Sequence, residues 1–301
     1  MDPGSIVPFL AAFVAAPIGG IFDYPIRRVV HIRQAQGAMP GFEYRNVISC
    51  LRQMPGEQGG IKHVWRGLTP WFLASWAKKP LAMLAKEQVR SVGLFRTSQN
   101  MHVSEIMVKN VAAGAISGGL VLFVLHPLQM ASLRLQLDLG GGTLGPRAPF
   151  QNGRQVLSQI AKQSGVFSAP FSSNGGIYRG VSGMGAHALV KYGLYFGIYD
   201  TAKTWVNSSL FAKFLLGFGV TNLAAFFSYP ILTGTVRAQA AVSPIASFKG
   251  TVMPVQYRGT LHAMVAVAKA EGVGALWRGF GLTLGRSIFG AIFLVGYDTM
   301  R

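Results

Sequence analysis

Apolar residues run uninterrupted by charge over three long stretches of the chain: Pro3 to Phe22, Asn110 to Leu133 and Phe214 to Val236. None contains Asp, Glu, Lys or Arg, and Asp2 and Asp23 bound the first. Each is close to the roughly 20 residues that carry a helix across about 30 Å of hydrocarbon, so the pattern predicts three transmembrane helices. Small residues at close spacing, as in Gly114-Ala-Ile-Ser-Gly118, let such helices approach one another. The three stretches end alike, at Tyr24-Pro25, His126-Pro127 and Tyr229-Pro230. A glutamine stands nine residues after each proline, at Gln34, Gln136 and Gln239, and the prolines are 102 and 103 residues apart. A proline inside a helix removes a hydrogen bond and kinks it, so the same kink is expected three times.

A second element recurs downstream: Trp65-Arg66-Gly67, Tyr178-Arg179-Gly180 and Trp277-Arg278-Gly279. A weaker apolar segment follows each and closes on an acid with a base three residues on: Glu87 with Arg90, Asp200 with Lys203, Asp298 with Arg301. Similarity at a fixed period means one structural unit used three times. The pattern therefore predicts an all-α membrane protein with six transmembrane helices in three repeats, 1–101, 102–204 and 205–301, forming one integral membrane domain. Positive charge interrupts the second helix of each repeat, at Lys78 and Lys79, Lys191, and Arg286. Lys78 and Lys191 stand nine residues before the acid, which at 1.5 Å per residue is roughly 13 Å inside the helix end. That depth is poorly suited to snorkelling, so these groups are expected to line a watery cavity able to take an anionic small molecule.

Composition agrees with a membrane protein: half of the 301 residues are apolar, 13% are charged, and the net charge is +18. The basic residues are spread between the apolar runs, and no nucleic-acid motif accompanies them, so lipid headgroups are the expected anionic surface. One cysteine, Cys50, excludes an intramolecular disulfide. The first arginine is Arg27, and the amino terminus carries no basic region of the kind a cleaved leader has. No nucleophile–base set, metal-ligand cluster or phosphate-binding loop points to an enzyme, a metal or a cofactor.

Together these residues resemble the mitochondrial carrier family over essentially the whole chain, and within it they are most similar to the ADP/ATP carriers. Tyr44-Arg45 with Pro55-Gly-Glu57-Gln58-Gly59 carries the likeness, as do Tyr195-Phe-Gly-Ile-Tyr-Asp-Thr-Ala-Lys203 and Lys269-Ala-Glu271-Gly272 through Trp277-Arg278-Gly279 to Tyr297-Asp298. The resemblance implies a pseudo-threefold bundle with short matrix-side helices. It also implies a multi-pass protein of the mitochondrial inner membrane with its termini facing the intermembrane space. Family members close the matrix side with salt bridges on the odd helices and the cytosolic side with salt bridges on the even ones. Such rings open a central site to one face at a time.

The two rings differ here. On the odd helices the family's acid and base positions are filled by Arg27 and Val30 after Pro25, Gln129 and Ser132 after Pro127, and Leu232 and Thr235 after Pro230. That gate is degenerate, although the later basic position survives as Arg134 and Arg237, with Ile32 in the first repeat. The even-helix ring of Glu87, Arg90, Asp200, Lys203, Asp298 and Arg301 is complete, which leads us to expect a molecule closed on the cytosolic side. Substrate positions of the ADP/ATP carriers fall on Gly20 and Ala74, which carry no charge, and on Arg286, which does. Val236-Arg237-Ala238-Gln239 replaces those carriers' run of arginines, and His187, Ala188 and Lys191 occupy the fourth-helix contact. The resemblance further implies cardiolipin as a partner, its phosphates held at Arg66, Gly67, Gly153, Arg179, Gly180, Gly259, Arg278 and Gly279. Two functions fit. One is a degenerate, non-transporting carrier acting as a structural subunit of a larger inner-membrane complex, such as a respiratory one. The other is a divergent antiporter of an anionic metabolite or adenine nucleotide.

Overall fold

A computed structural model describes residues 20–36, 44–58, 60–92, 103–138, 150–166, 176–202, 210–240 and 257–287. Among them the regular structure is helical. The long helices are α1 (20–35), α3 (Leu68–Ser91), α4 (Val103–Leu137), α6 (Val181–Ala202) and α7 (Leu210–Ala240). Between them lie short helices of 12 residues each, α2 (Val47–Gln58), α5 (Gly153–Ser164) and α8 (Thr260–Glu271), and the chain continues into α9 (280–287). The spans read from sequence at Asn110–Leu133 and Phe214–Val236 sit inside α4 and α7. Segments Ala112–Leu137 and Phe214–Ala240 are each long and apolar enough to cross a membrane, with mean hydropathy 1.5. Of the first span, only 20–22 fall within the described residues.

Both recurring sequence elements belong to one piece of physical chemistry. Pro25, Pro127 and Pro230 lie inside α1, α4 and α7. A helical proline has no N–H, so the carbonyl four residues earlier loses its partner. Trp65 Nε1 donates to that carbonyl at Ile21, 3.0 Å away, and Trp277 Nε1 donates to the corresponding one at Phe226, also at 3.0 Å. Tyr178 has no ring N–H to offer and instead stacks its ring on Phe123, centroids 4.4 Å apart. The residue before each proline returns the bond. Tyr24 OH donates to Arg66 O at 3.1 Å, His126 Nε2 to Arg179 O at 3.1 Å, and Tyr229 OH to Arg278 O at 3.2 Å. Each aromatic–Arg–Gly turn is thus clamped to the proline of its own repeat.

The turns end in glycines with left-handed backbone. Gly67 has φ 87°, and a Cβ there would lie 2.7 Å from both Ser132 O and Tyr24 OH. Gly180, at φ 77°, would meet the Gln239 side chain at 2.8 Å. The main apolar cluster lies at the end of the bundle that carries the short helices. There Val29, Ile32 and Ala35 of α1 meet Leu133 and Leu137 of α4, Val236 and Ala240 of α7, and Cys50 and Met54 of α2. This cluster draws the carboxyl ends of the three proline-containing helices together.

Candidate functional site

Two regions of charge answer the expectations from sequence: the short-helix end, where a gate was sought, and the middle of the bundle, where an anion cavity was sought.

At the short-helix end the surviving basic positions, Arg134 and Arg237, belong to a larger arrangement. Buried guanidinium groups join the helices in a cycle. Arg28 of α1 donates through Nε to Gln136 O of α4 at 2.9 Å. Arg134 of α4 donates through Nη1 to Ala240 O of α7 at 3.1 Å. Arg237 of α7 donates through Nε to Gln34 O of α1, closing the circle. All three arginines are buried. The last turn of a helix leaves its carbonyls without intrahelical partners and carries the negative end of the dipole, so each cation meets acceptors suited to it. Arg28 also reaches His63 O and, at 3.5 Å, Asp138 O.

Sequence reasoning missed Arg28 because it compared fixed offsets from the proline. Ile32 occupies the position held by Arg134 and Arg237 in the other repeats. Arg28 lies four residues earlier, one turn away on the same face, and that spacing was the available signal. The glutamines brace the ring: Gln34 Nε2 donates to Thr233 Oγ1 at 3.4 Å, Gln136 Nε2 to Tyr24 OH at 3.0 Å, and Gln239 Nε2 to Arg179 O at 3.1 Å. Of the degenerate gate positions, Ser132 donates to Gly67 O at 2.8 Å, Thr235 to Ile231 O at 2.7 Å, and Val30 is buried. Leu232 packs on the apolar cluster, while Gln129 is half-buried. Arg27 points elsewhere, into the middle of the bundle.

There Asp23 is the focus. Arg286 of α9 grips it side-on, with Nε on Oδ1 at 2.6 Å and Nη2 on Oδ2 at 2.7 Å. Arg27 stands 3.8 Å from the same carboxylate, with its guanidinium carbon 5.1 Å from the centre of the Trp71 ring. The charges of Arg286, Arg27 and Lys78 all act on Lys191. Of the four cavity bases read from sequence, Lys78 and Arg286 therefore both act on Lys191, and the side chain of the fourth, Lys79, lies outside the described residues. Asp23 and Arg27 were not counted in that cavity. The uncharged substrate positions are filled: Trp71 lies directly against Gly20, and Ala74 is buried. His187 Nδ1 bonds Ser228 O at 3.0 Å, a structural use of that ring.

The arginines expected at lipid phosphates are directed into the protein. Arg66 pairs with Asp138 at 2.7 Å and reaches Phe150 O, Arg179 reaches Tyr257 O, and Arg278 pairs with Glu271. Gly67, Gly180 and Gly279 face the odd helices. Gly153 has only ordinary contacts and Gly259 has open space around a notional Cβ, while Asn152 Oδ1 caps α5 by accepting from Gln155 N–H at 3.0 Å. Of the even-helix ring, Glu87 is exposed. Lys203, Asp298, Arg301 and the side chains of Arg90 and Asp200 lie outside the described residues.

This architecture has relatives. The profile of the family described as mitochondrial carrier protein matches residues 2–96, 104–210 and 206–301. The chain is 29% identical to ADP/ATP translocase 2 of Bos taurus over 301 residues, covering 97% of this chain and 95% of that one. It is 27% identical to ADP,ATP carrier protein 3 of Saccharomyces cerevisiae over 305 residues, covering 98% and 93%. With three family matches spanning nearly its whole length, this divergent chain belongs to the mitochondrial carrier family.

Proposed function

We propose that this carrier-family protein resides in the mitochondrial inner membrane as a non-transporting structural subunit of a larger complex, such as a respiratory one, with both termini toward the intermembrane space. The observation that carries this reading is the cycle formed by Arg28, Arg134 and Arg237 where an acid–base gate would stand. A transport gate must exchange its partners as it opens. Arg28 is instead held at once by carbonyls on α4 and on the turn after α2, so parting the helices breaks bonds to two elements together. Filled positions at Gly20 and Ala74, and a carboxylate already seated on Arg286, remove the contacts an adenine nucleotide would need. Mild solubilisation followed by a native gel tests the reading: migration within a large assembly is expected, and migration alone as a monomer contradicts it.

A second reading, an antiporter of an anionic metabolite or adenine nucleotide, is favoured by the excess of positive charge around Lys191 and by the relatives named as ADP/ATP translocases. Reconstitution discriminates: saturable anion exchange above empty vesicles would support this second reading and sink the first. In either role cardiolipin phosphates are proposed at the amino ends of α5 and α8, beside Gly153, where Asn152 already accepts from Gln155 N–H, and beside Gly259, where a Cβ would meet open space.

A further inference from the structure

The three short helices are built on one register. Counting from the buried aromatic ahead of each, Tyr44, Phe150 and Tyr257, the residues six and ten places on are buried in all three. These are Cys50 and Met54 in α2, Val156 and Ile160 in α5, and Ala263 and Val267 in α8. The helices differ on the opposite stripe, four, eight and twelve places on, where every residue is exposed. α2 presents Ile48, Arg52 and Gly56 there, and α8 presents Leu261, Val265 and Lys269. α5 presents Arg154, Ser158 and Lys162. Ile48 and Leu261 are each 76% exposed, and apolar groups held outward at this point suit the boundary between headgroups and acyl chains. α5 sets an arginine in their place, so its outer face suits water and charge instead.

That face borders an open recess of about 510 Å³ whose described lining is Arg154, Gln155, Ser158, Gln159 and Lys162. No acid stands among them, and the chain has none anywhere between Asp138 and Asp200. A small-molecule site of this volume is lined mostly by apolar and aromatic groups, which that set lacks. The recess offers two cations at its ends, with hydroxyl and amide groups between them. Eight residues of helix separate the cations by about 12 Å. An extended chain rises about 3.3 Å per residue, so carboxylates about four residues apart reach both. Its peptide groups then face Gln155, Ser158 and Gln159, whose side chains both donate and accept hydrogen bonds.

We propose that the outer face of α5 is a docking surface for an acidic, extended segment of a partner protein. Arg154 and Lys162 hold two of its carboxylates. The proposal rests on the protein being a subunit of a larger complex, and it names the chemistry of one neighbour there. On the same stripe α2 has one cation, Arg52, and α8 has one, Lys269, so the paired arrangement is particular to the second repeat.

Fluorescence anisotropy of a fluorescein-labelled hexaglutamate with the purified full-length protein tests this, at about 0.1 M salt so that close charges dominate. Binding is expected, and Arg154→Gln combined with Lys162→Gln should weaken it about three- to thirtyfold, the loss of two exposed ion pairs. Arg258→Gln combined with Lys269→Gln removes the same charge from exposed positions at α8 and should change affinity by less than about twofold. Equal weakening by the two double variants would show attraction to net charge alone and overturn the proposal, as would the absence of peptide binding. Native mass spectrometry of bound cardiolipin supplies a second arm. An α5 double variant that loses cardiolipin while keeping its affinity for the peptide would assign the surface to lipid, and the proposal would fall. Migration as a monomer on a native gel refutes the stable complex, whereas the peptide experiment refutes the surface by itself.

Discussion

Individual residues of this bundle differ sharply in what they tolerate. Gly67 combines a left-handed backbone with close approach, since a Cβ would press on Ser132 O and Tyr24 OH. Gly67→Ala should therefore cost about 2 to 4 kcal/mol, from left-handed strain and overpacking together. Gly259→Ala meets open space on extended backbone and should change stability by less than about 0.5 kcal/mol. Thermal midpoints of the two variants check the contrast. It also separates packing from lipid binding, because the glycines that fit tightly against the odd helices are not those left open at helix amino ends. Cys50 offers a second check at this scale. Burial pushes its thiol up to about 12, so the folded chain keeps the neutral form while the unfolded chain ionises near its ordinary value. The folded protein should resist maleimide at pH 8. This group's contribution to stability should be full below about pH 8.5 and lost progressively as the pH rises above it. Ready labelling of the native protein would place Cys50 outside the core.

At the scale of elements, the repeated proline and the repeated aromatic–Arg–Gly turn form one device. The proline leaves a carbonyl open, an indole closes it, and the residue before the proline clamps the turn. Trp65→Phe keeps the ring but leaves Ile21 O without a donor, which should cost about 1 to 3 kcal/mol. An unchanged midpoint would show that the carbonyl finds another partner. Much of this level was legible in the sequence. Charge-free runs and fixed spacing located α4 and α7 and the three turns, because apolar length and repetition leave their mark on residue types. What pairs with what was less legible. Arg66, Arg179 and Arg278 read as lipid contacts, yet they bind Asp138, the Tyr257 carbonyl and Glu271. A backbone carbonyl is present at every position, so no residue pattern announces which one an arginine will find. Asp23 likewise stands four residues from Arg27, a pairing that spacing alone suggests, whereas its stronger partner, Arg286, lies 263 residues away.

For the whole molecule, the question is whether the short-helix end ever opens. Hydrogen bonds to charged groups are worth about 1.5 to 3 kcal/mol each, so three closing the cycle would supply about 4.5 to 9 kcal/mol. That brackets the approximately 5.5 kcal/mol that moves a population from 1:99 to 99:1, before the glutamine braces and apolar cluster are added. Arg28→Gln removes one arm of the cycle and should lower the thermal midpoint by roughly the equivalent of 3 kcal/mol, without creating ADP/ATP exchange in vesicles. The closed cycle is read most directly as a distance. Spin labels at Gln53 on α2 and Ser158 on α5, both exposed, report the separation of the first two repeats at this end once Cys50 is replaced by alanine. Double electron–electron resonance in cardiolipin-containing liposomes should give one narrow distribution, unchanged by ADP, ATP or phosphate. A second, longer distance that grows with added nucleotide would mean that the end opens as a transporter's does, and would contradict the account.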